Sequence, residues 1–249
     1  GTAILGAVST GGYIDMTDAS GVYEIRSGDG ADTLIGGGSN DTFKILGDGK
    51  ADNDTINGGD GSQDTLELWT GTHTLTDDSK ISNLEIINAH ASGSTLVLTN
   101  QVEGFTINGG DGTDDLTGGE GNDTLIGGAG DDTYILDDAA DAVFDSAGFD
   151  VVYAQADVDL DALSGVDHVE LFGSASSVIG SDEDTLIVGN MSVSNQLYGG
   201  AGNDTFVGGS GADWLESSSG ENTFIVSTGD TVVGGSGYDV VIADVNIDL

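Results

Sequence analysis

The stretch GGDGTDDLTGGEGNDTLIGGAGDDTYI, residues 109–135, writes nearly the same nine letters three times. Numbered from 1 to 9, each copy has glycine near positions 1, 2 and 4, an acid at 6 and one large apolar residue at 8. The phase extends outward without a gap from Gly109 to Tyr153. Sixth positions are then Asp114, Asp123, Asp132, Asp141 and Asp150, and eighth positions are Leu116, Leu125, Tyr134, Val143 and Val152. The last two units, LDDAADAVF and DSAGFDVVY, have lost most glycines but keep the acid and the apolar residue. Those two positions therefore carry the structural work.

Three residues around position 8, such as TLI or TYI, are β-branched or aromatic and alternate out, in, out, which reads as a very short strand. The six before them are glycine and acid. That is turn chemistry, because glycine takes positive φ at no steric cost. One strand and one turn reverse the chain, so two units make a complete coil of 18 residues. Coils stack at the inter-strand spacing of about 4.8 Å. The position-8 side chains point inward from both walls and form a continuous ladder. No unit buries that face alone, so the pattern predicts an all-β solenoid, a parallel β-roll.

Stacking makes the acid informative. Position 6 of one coil lies over position 6 of the next, and two carboxylates about 4.8 Å apart repel by roughly 3–4 kcal/mol at an effective dielectric near 20. A calcium ion midway sits about 2.4 Å from an oxygen of each, within its usual range. Carbonyls exposed by the glycine turns can complete an oxygen shell. Magnesium prefers a tighter one, and no cysteine or histidine is placed to favour zinc. Calcium is the cation this geometry selects.

Composition agrees. Among 249 residues there are 44 acids against four bases, a formal net charge of −40, 43 glycines, and neither proline nor cysteine. Such charge normally argues for disorder, yet 37% of the residues are hydrophobic and recur regularly. A self-repelling chain with a patterned apolar stripe needs a cation before it compacts. Arg26, Lys44, Lys50 and Lys80 are too few for nucleic-acid binding, which rests on basic side chains against phosphate. No apolar run reaches the roughly 20 residues of a membrane span, so no membrane insertion is expected. The opening GTAILGAVSTGG lacks the basic and apolar regions of a secretory signal.

Further runs share the pattern. SGDGADTLI and GGGSNDTFK give Asp32 and Asp41, and weaker copies place Asp54 and Asp64, where an extra residue in GGDGSQDTL breaks the phase. Upstream, Met16, Ile25, Leu34 and Phe43 are spaced by nine. A later run, NMSVSNQLY, GGAGNDTFV, GGSGADWLE and SSSGENTFI, gives Asn195, Asp204, Asp213 and Asn222, and after an eight-residue spacer GGSGYDVVI gives Asp239. Each run leads into an acid-poorer β-type segment. Three blocks are expected, at residues 1–104, 105–189 and 190–249, the last one truncated, as in a piece of a longer repetitive protein.

GGEGNDTLI and GGAGDDTYI resemble the RTX (repeats-in-toxin) nonapeptide of haemolysin-type calcium-binding proteins, and tandem in-phase copies make the likeness specific. The resemblance implies a right-handed parallel β-roll with several calcium ions between successive turns. By it, each site takes carbonyls at positions 2 and 4 and the acid at 6 of one turn. The turn 18 residues later adds carbonyls at 1 and 3 and its own acid. Carried over, one site uses Gly110, Gly112 and Asp114 with Gly127, Ala129 and Asp132. A second uses Gly119, Gly121 and Asp123 with Leu136, Asp138 and Asp141, and a third Gly128, Gly130 and Asp132 with Asp145, Ala147 and Asp150. In the last block Gly200, Gly202 and Asp204 face Ser217, Ser219 and Asn222, while Asn195 pairs with Asp213 beside Gly208 and Ser210. Asparagine keeps an oxygen but removes charge, so those two sites are expected to be weak or empty.

His73, His90 and His168 are far apart and lack metal-ligand spacing, and there is neither a nucleophile elbow nor a P-loop. No enzyme active site is expected. The resemblance implies instead a secreted bacterial protein, exported through type I secretion machinery and folding on calcium outside the cell. An adhesin or surface-layer module contacting glycan or neighbouring copies, with Trp214 and the segments around His90 and His168 as its surface, is a second reading. An accessory repeat domain of a secreted enzyme is a third.

Overall fold

The computed structural model describes residues 3–6, 11–46, 51–69, 71–90 and 92–243. The chain divides into two compact units, Gly1–Asp132 with Ala140–Ala142, and Thr133–Ala139 with Val143–Leu249. Each is an all-β parallel solenoid. Among the described residues the helical content is two single 3₁₀ turns, Ala51–Asn53 and Leu160–Ala162, and no helix is long and apolar enough to cross a membrane.

In the first unit one wall stacks Ala3–Gly6, Tyr23–Arg26, Thr42–Ile45, Thr65–Leu68, Ile86–Ala89, Thr106–Asp111 and Thr124–Ala129, all parallel. The second wall alternates with it along the chain: Tyr13–Asp15, Thr33–Ile35, Thr55–Asn57 and Ile81–Ser82 in one sheet, then Thr72–Thr74, Thr95–Val97 and Asp115–Thr117 in another. In the second unit Thr133–Leu136, Val151–Ala154, His168–Leu171, Leu186–Val188, Thr205–Val207, Thr223–Val226 and Val240–Ala243 form one wall. Val158–Asp159, Ser177–Ile179, Gln196–Ala201, Trp214–Ser219 and Thr231–Val233 form its other wall.

The strands are two to six residues long because position 8 and its flanks are the β-formers. Most stop at glycine or aspartate on at least one side, and the six-residue strands such as Thr106–Asp111 and Thr124–Ala129 run on into the glycines of the turn. Register shows what holds the coils together. Ile25, Phe43, Leu66, Ile87, Ile107 and Leu125 lie one over another, and each is fully buried. Tyr134, Val152, Val169, Ile187, Phe206 and Phe224 do the same in the second unit, and the rings of Phe206 and Phe224 stack with centroids 4.7 Å apart. Burial of each such side chain contributes about 1.5–3 kcal/mol. The fold is thus a column of apolar rungs walled by one-rung strands.

Coil length is 18 where the nonapeptides run in tandem, as from Ile107 to Leu125 or Leu197 to Leu215. Elsewhere it stretches, to 23 from Phe43 to Leu66 and 25 from Ile56 to Ile81, or shrinks to 17 from Phe224 to Val241. The extra residues go into the turns and leave the rungs in line. For the same reason the nine-residue spacing back from Ile25 to Met16 does not mark a rung. Ile14 pairs with Leu34 across a 20-residue coil, and Met16 lies in the turn that follows Tyr13–Asp15.

Candidate metal centre

Each position-6 residue stands where a turn enters a strand, one residue before the first strand residue and two before the rung. This placement pulls the side chain under the turn. Asp32, Asp41, Asp114, Asp123, Asp132, Asp141, Asp150, Asn195, Asp204, Asp213 and Asn222 are all at most 4% exposed. Asp239, in the last described turn, is exposed but sits in the same register.

Within each unit these side chains make a vertical hydrogen-bond ladder. One side-chain oxygen, Oδ1 of an aspartate or of Asn222, accepts the backbone N–H of the equivalent residue one coil earlier. Asp32 donates to Asp54 Oδ1 at 2.8 Å, Asp41 to Asp64 Oδ1 at 2.6 Å, Asp114 to Asp132 Oδ1 at 2.7 Å and Asp123 to Asp141 Oδ1 at 2.9 Å. In the second unit Asn195 donates to Asp213 Oδ1 at 2.8 Å, Asp204 to Asn222 Oδ1 at 2.9 Å and Asn222 to Asp239 Oδ1 at 3.2 Å. The strand ladder cannot satisfy these N–H groups at the turn, so the acid does. Simple stacking of carboxylates did not foresee this use of one oxygen.

The glycines leave room for that inward curl. A Cβ at Gly118 would overlap Asp123 Oδ2, and one at Gly199 would overlap Asp204 Oδ2. At position 2, Gly128 has φ +113°, and a Cβ there would collide with the carbonyl of Gly110 one coil below. Among the other expected carbonyl donors, Gly110, Gly112, Gly119 and Gly130 share the left-handed conformation, as does Gly200. Ala147 donates its N–H to Asp145 Oδ1 at 2.9 Å, an Asx turn, and the Tyr134 hydroxyl also donates to Asp145.

The second carboxylate oxygen tests whether a cation fits. Oδ2 of Asp54, Asp64, Asp204 and Asp213 is buried with no hydrogen-bond partner. Desolvation raises the pKa of all four, that of Asp64 and Asp204 to about 6. A buried anionic oxygen without a donor is strongly disfavoured unless a cation compensates it. The surrounding turn supplies oxygens: at Asn195, the carbonyls of Asn190, Val193 and Gly208 and Oδ1 of Asp213 all lie 2.9–3.1 Å from a single atom, the side-chain Nδ2. Four oxygens converging on one point, hard and mostly uncharged, suit a hard cation such as calcium.

Several ladder members lie outside the clear nonapeptides. Asp54 and Asp64 are fully buried and in register; the longer coils absorb the residue that breaks the sequence phase. Glu85 accepts from Asp64 N at 2.8 Å, Asp167 from Asp150 N at 2.9 Å and Asp230 from Asp213 N at 3.0 Å. The signal for all five is an acid, any residue, then an apolar β-former, as in Asp230-Thr231-Val232, with no glycine required. Asp184 is not among them. Thr185 takes its place, donating to Asp204 Oδ1 at 3.1 Å, because Ile187 is the rung.

Turns of buried carboxylates in vertical register between parallel rungs define a cation-binding β-solenoid. The family profile of the RTX calcium-binding nonapeptide repeat matches residues 24–44, 48–62, 108–143, 192–224 and 226–244, and the chain belongs to that family. It is a calcium-binding repeat region. A comparison with curated proteins found no match.

Proposed function

We propose that this region is a calcium-triggered folding module of a secreted bacterial protein, passed unfolded through type I secretion machinery and assembled outside the cell. Calcium, when bound, neutralises the turn carboxylates. The protein's own residues do the rest: position-6 acids tie coil to coil through Oδ1 and offer Oδ2, while glycine turns aim carbonyl oxygens at the same point. The paired turns proposed to bind are Asp32 with Asp54, Asp41 with Asp64, Asp114 with Asp132 and Asp123 with Asp141, together with Asp204 and Asp239.

The observation that carries this reading is the set of buried, partnerless Oδ2 atoms at Asp54, Asp64 and Asp204. An ion that binds only the stacked state stabilises it by mass action. Far-UV circular dichroism in EGTA, followed by millimolar calcium, tests it: weak β signal should become strong. A full β signal in the calcium-free sample would overturn the trigger.

No catalytic role is proposed. His73 is buried in the rung column above Leu96, His90 stacks on Trp69 at 4.5 Å, and burial lowers the pKa of His168. Trp214 supports glycan contact as a second reading: the residue is 40% exposed, and its ring is held by an Nε1–H bond to Glu216 at 2.8 Å. Binding on a glycan array that Trp214→Ala abolishes would establish it.

A further inference from the structure

We infer that one edge of the second unit is closed without calcium, by asparagine side chains that take the cation's place. The edge holds three successive turns, around residues 173–175, 190–195 and 208–213. Asn190 is buried and its Nδ2 donates to the carbonyls of Gly173 and Ala175, each at 3.1 Å. Asn195 is buried in turn, and its Nδ2 meets the carbonyls of Asn190, Val193 and Gly208 at 3.1 Å and Asp213 Oδ1 at 2.9 Å. Two amides thus join three turns across two coil steps.

The orientation of Asn195 is forced by its surroundings. Its Oδ1 accepts the N–H of Asn190 at 2.9 Å. Reversing the amide would set Oδ1 against four oxygens and an N–H₂ group against a donor, so only one assignment satisfies the turn. The two amide hydrogens are shared among four acceptors, which fill the interior that a cation would otherwise occupy. Asn222 repeats the arrangement more loosely, with Nδ2 3.0 Å from Asp239 Oδ1 and 3.5 Å from the carbonyls of Ser219 and Gly234.

The inference rests on the calcium reading of the aspartate turns and assigns the opposite behaviour to this edge. Asn195 and Asp213 do not form a calcium site; they form a permanent staple. The coils from Ser177–Ile179 through Trp214–Ser219 then keep local structure when calcium is absent, and serve as the seed on which ion-loaded coils stack.

Hydrogen-exchange mass spectrometry on the whole chain in EGTA reads this directly. Amides of 177–216 should stay protected while those of 106–129 exchange freely. Asn195→Ala should lower the protection of 177–216 by about tenfold, as expected for losing buried amide hydrogen bonds. Asn195→Asp should lower it likewise and, by calorimetric titration, bind one calcium more than the wild type. Equal exchange of the two segments in EGTA would overturn the staple, and so would unchanged calcium stoichiometry in Asn195→Asp. If the wild type bound no calcium at all, the module reading would fail while protection of 177–216 in EGTA could still stand.

Discussion

At the scale of single residues, the position-6 carboxylate has two jobs that pull in opposite directions. Oδ1 completes the backbone hydrogen bonding of the coil before it, which favours burial. Oδ2 of Asp64 and Asp204 is then stranded, and desolvation lifts both groups to a pKa of about 6. A carboxyl whose pKa is higher folded than unfolded binds its proton more tightly in the fold. Its penalty is therefore complete above about pH 6 and vanishes below the unfolded value near 4. Circular dichroism in EGTA should show β signal growing as pH falls from 7 to 5, and Asp204→Asn should flatten that growth. Loss of β signal on acidification over this window would refute the assignment. With calcium present the trend reverses, since protons compete for the same oxygens. Asp204 was placed by the nine-residue phase, whereas Asp64 sat in a weaker copy whose phase looked broken. The division of labour between their oxygens was not readable for either, because it depends on which backbone N–H the turn leaves over.

At the scale of the coil, the rungs were readable and the coil length was only partly so. Leu116, Leu125, Tyr134, Val143 and Val152 were expected inward and are fully or almost fully buried. Met16 was misplaced, and the phase at Asp54 and Asp64 looked broken, because nine-residue counting assumes turns of fixed length. Turns here vary freely, since only the acid before the strand and the rung within it are held by neighbours. Glycine matters where backbones approach. Gly128→Ala would set a Cβ against the Gly110 carbonyl at φ +113°, and strain of that kind costs about 1–3 kcal/mol. Leu125→Ala removes a buried rung that pairs with Ile107, which costs roughly 2–5 kcal/mol. Denaturant titrations of the calcium-loaded protein should show both losses, with the rung variant the more destabilised. Gly128→Ala behaving like wild type would mean that the turn is not held as tightly as its geometry requires.

At the scale of the whole molecule, charge decides whether the coils form at all. A net charge of −40 produces two kinds of repulsion that respond differently to salt. Exposed acids such as Asp111 and Asp131 face water, and monovalent salt screens charges of that kind within a Debye length of about 10 Å at 0.1 M. The ladder carboxylates are buried, where mobile ions do not reach and screening is weak. Sodium chloride should therefore reduce the expansion of the calcium-free chain without building the coils, while calcium enters the turns and does both. Small-angle scattering and circular dichroism recorded together separate the two effects. In EGTA the radius of gyration should lie somewhat below the roughly 55 Å of a fully unfolded chain of this length, because the 177–216 seed persists. It should contract modestly in 0.5 M sodium chloride with little gain in β signal, and fall sharply with full β signal in millimolar calcium. Recovery of the β signal in sodium chloride alone would show that diffuse repulsion, and not the uncompensated oxygens inside the turns, keeps the calcium-free chain open.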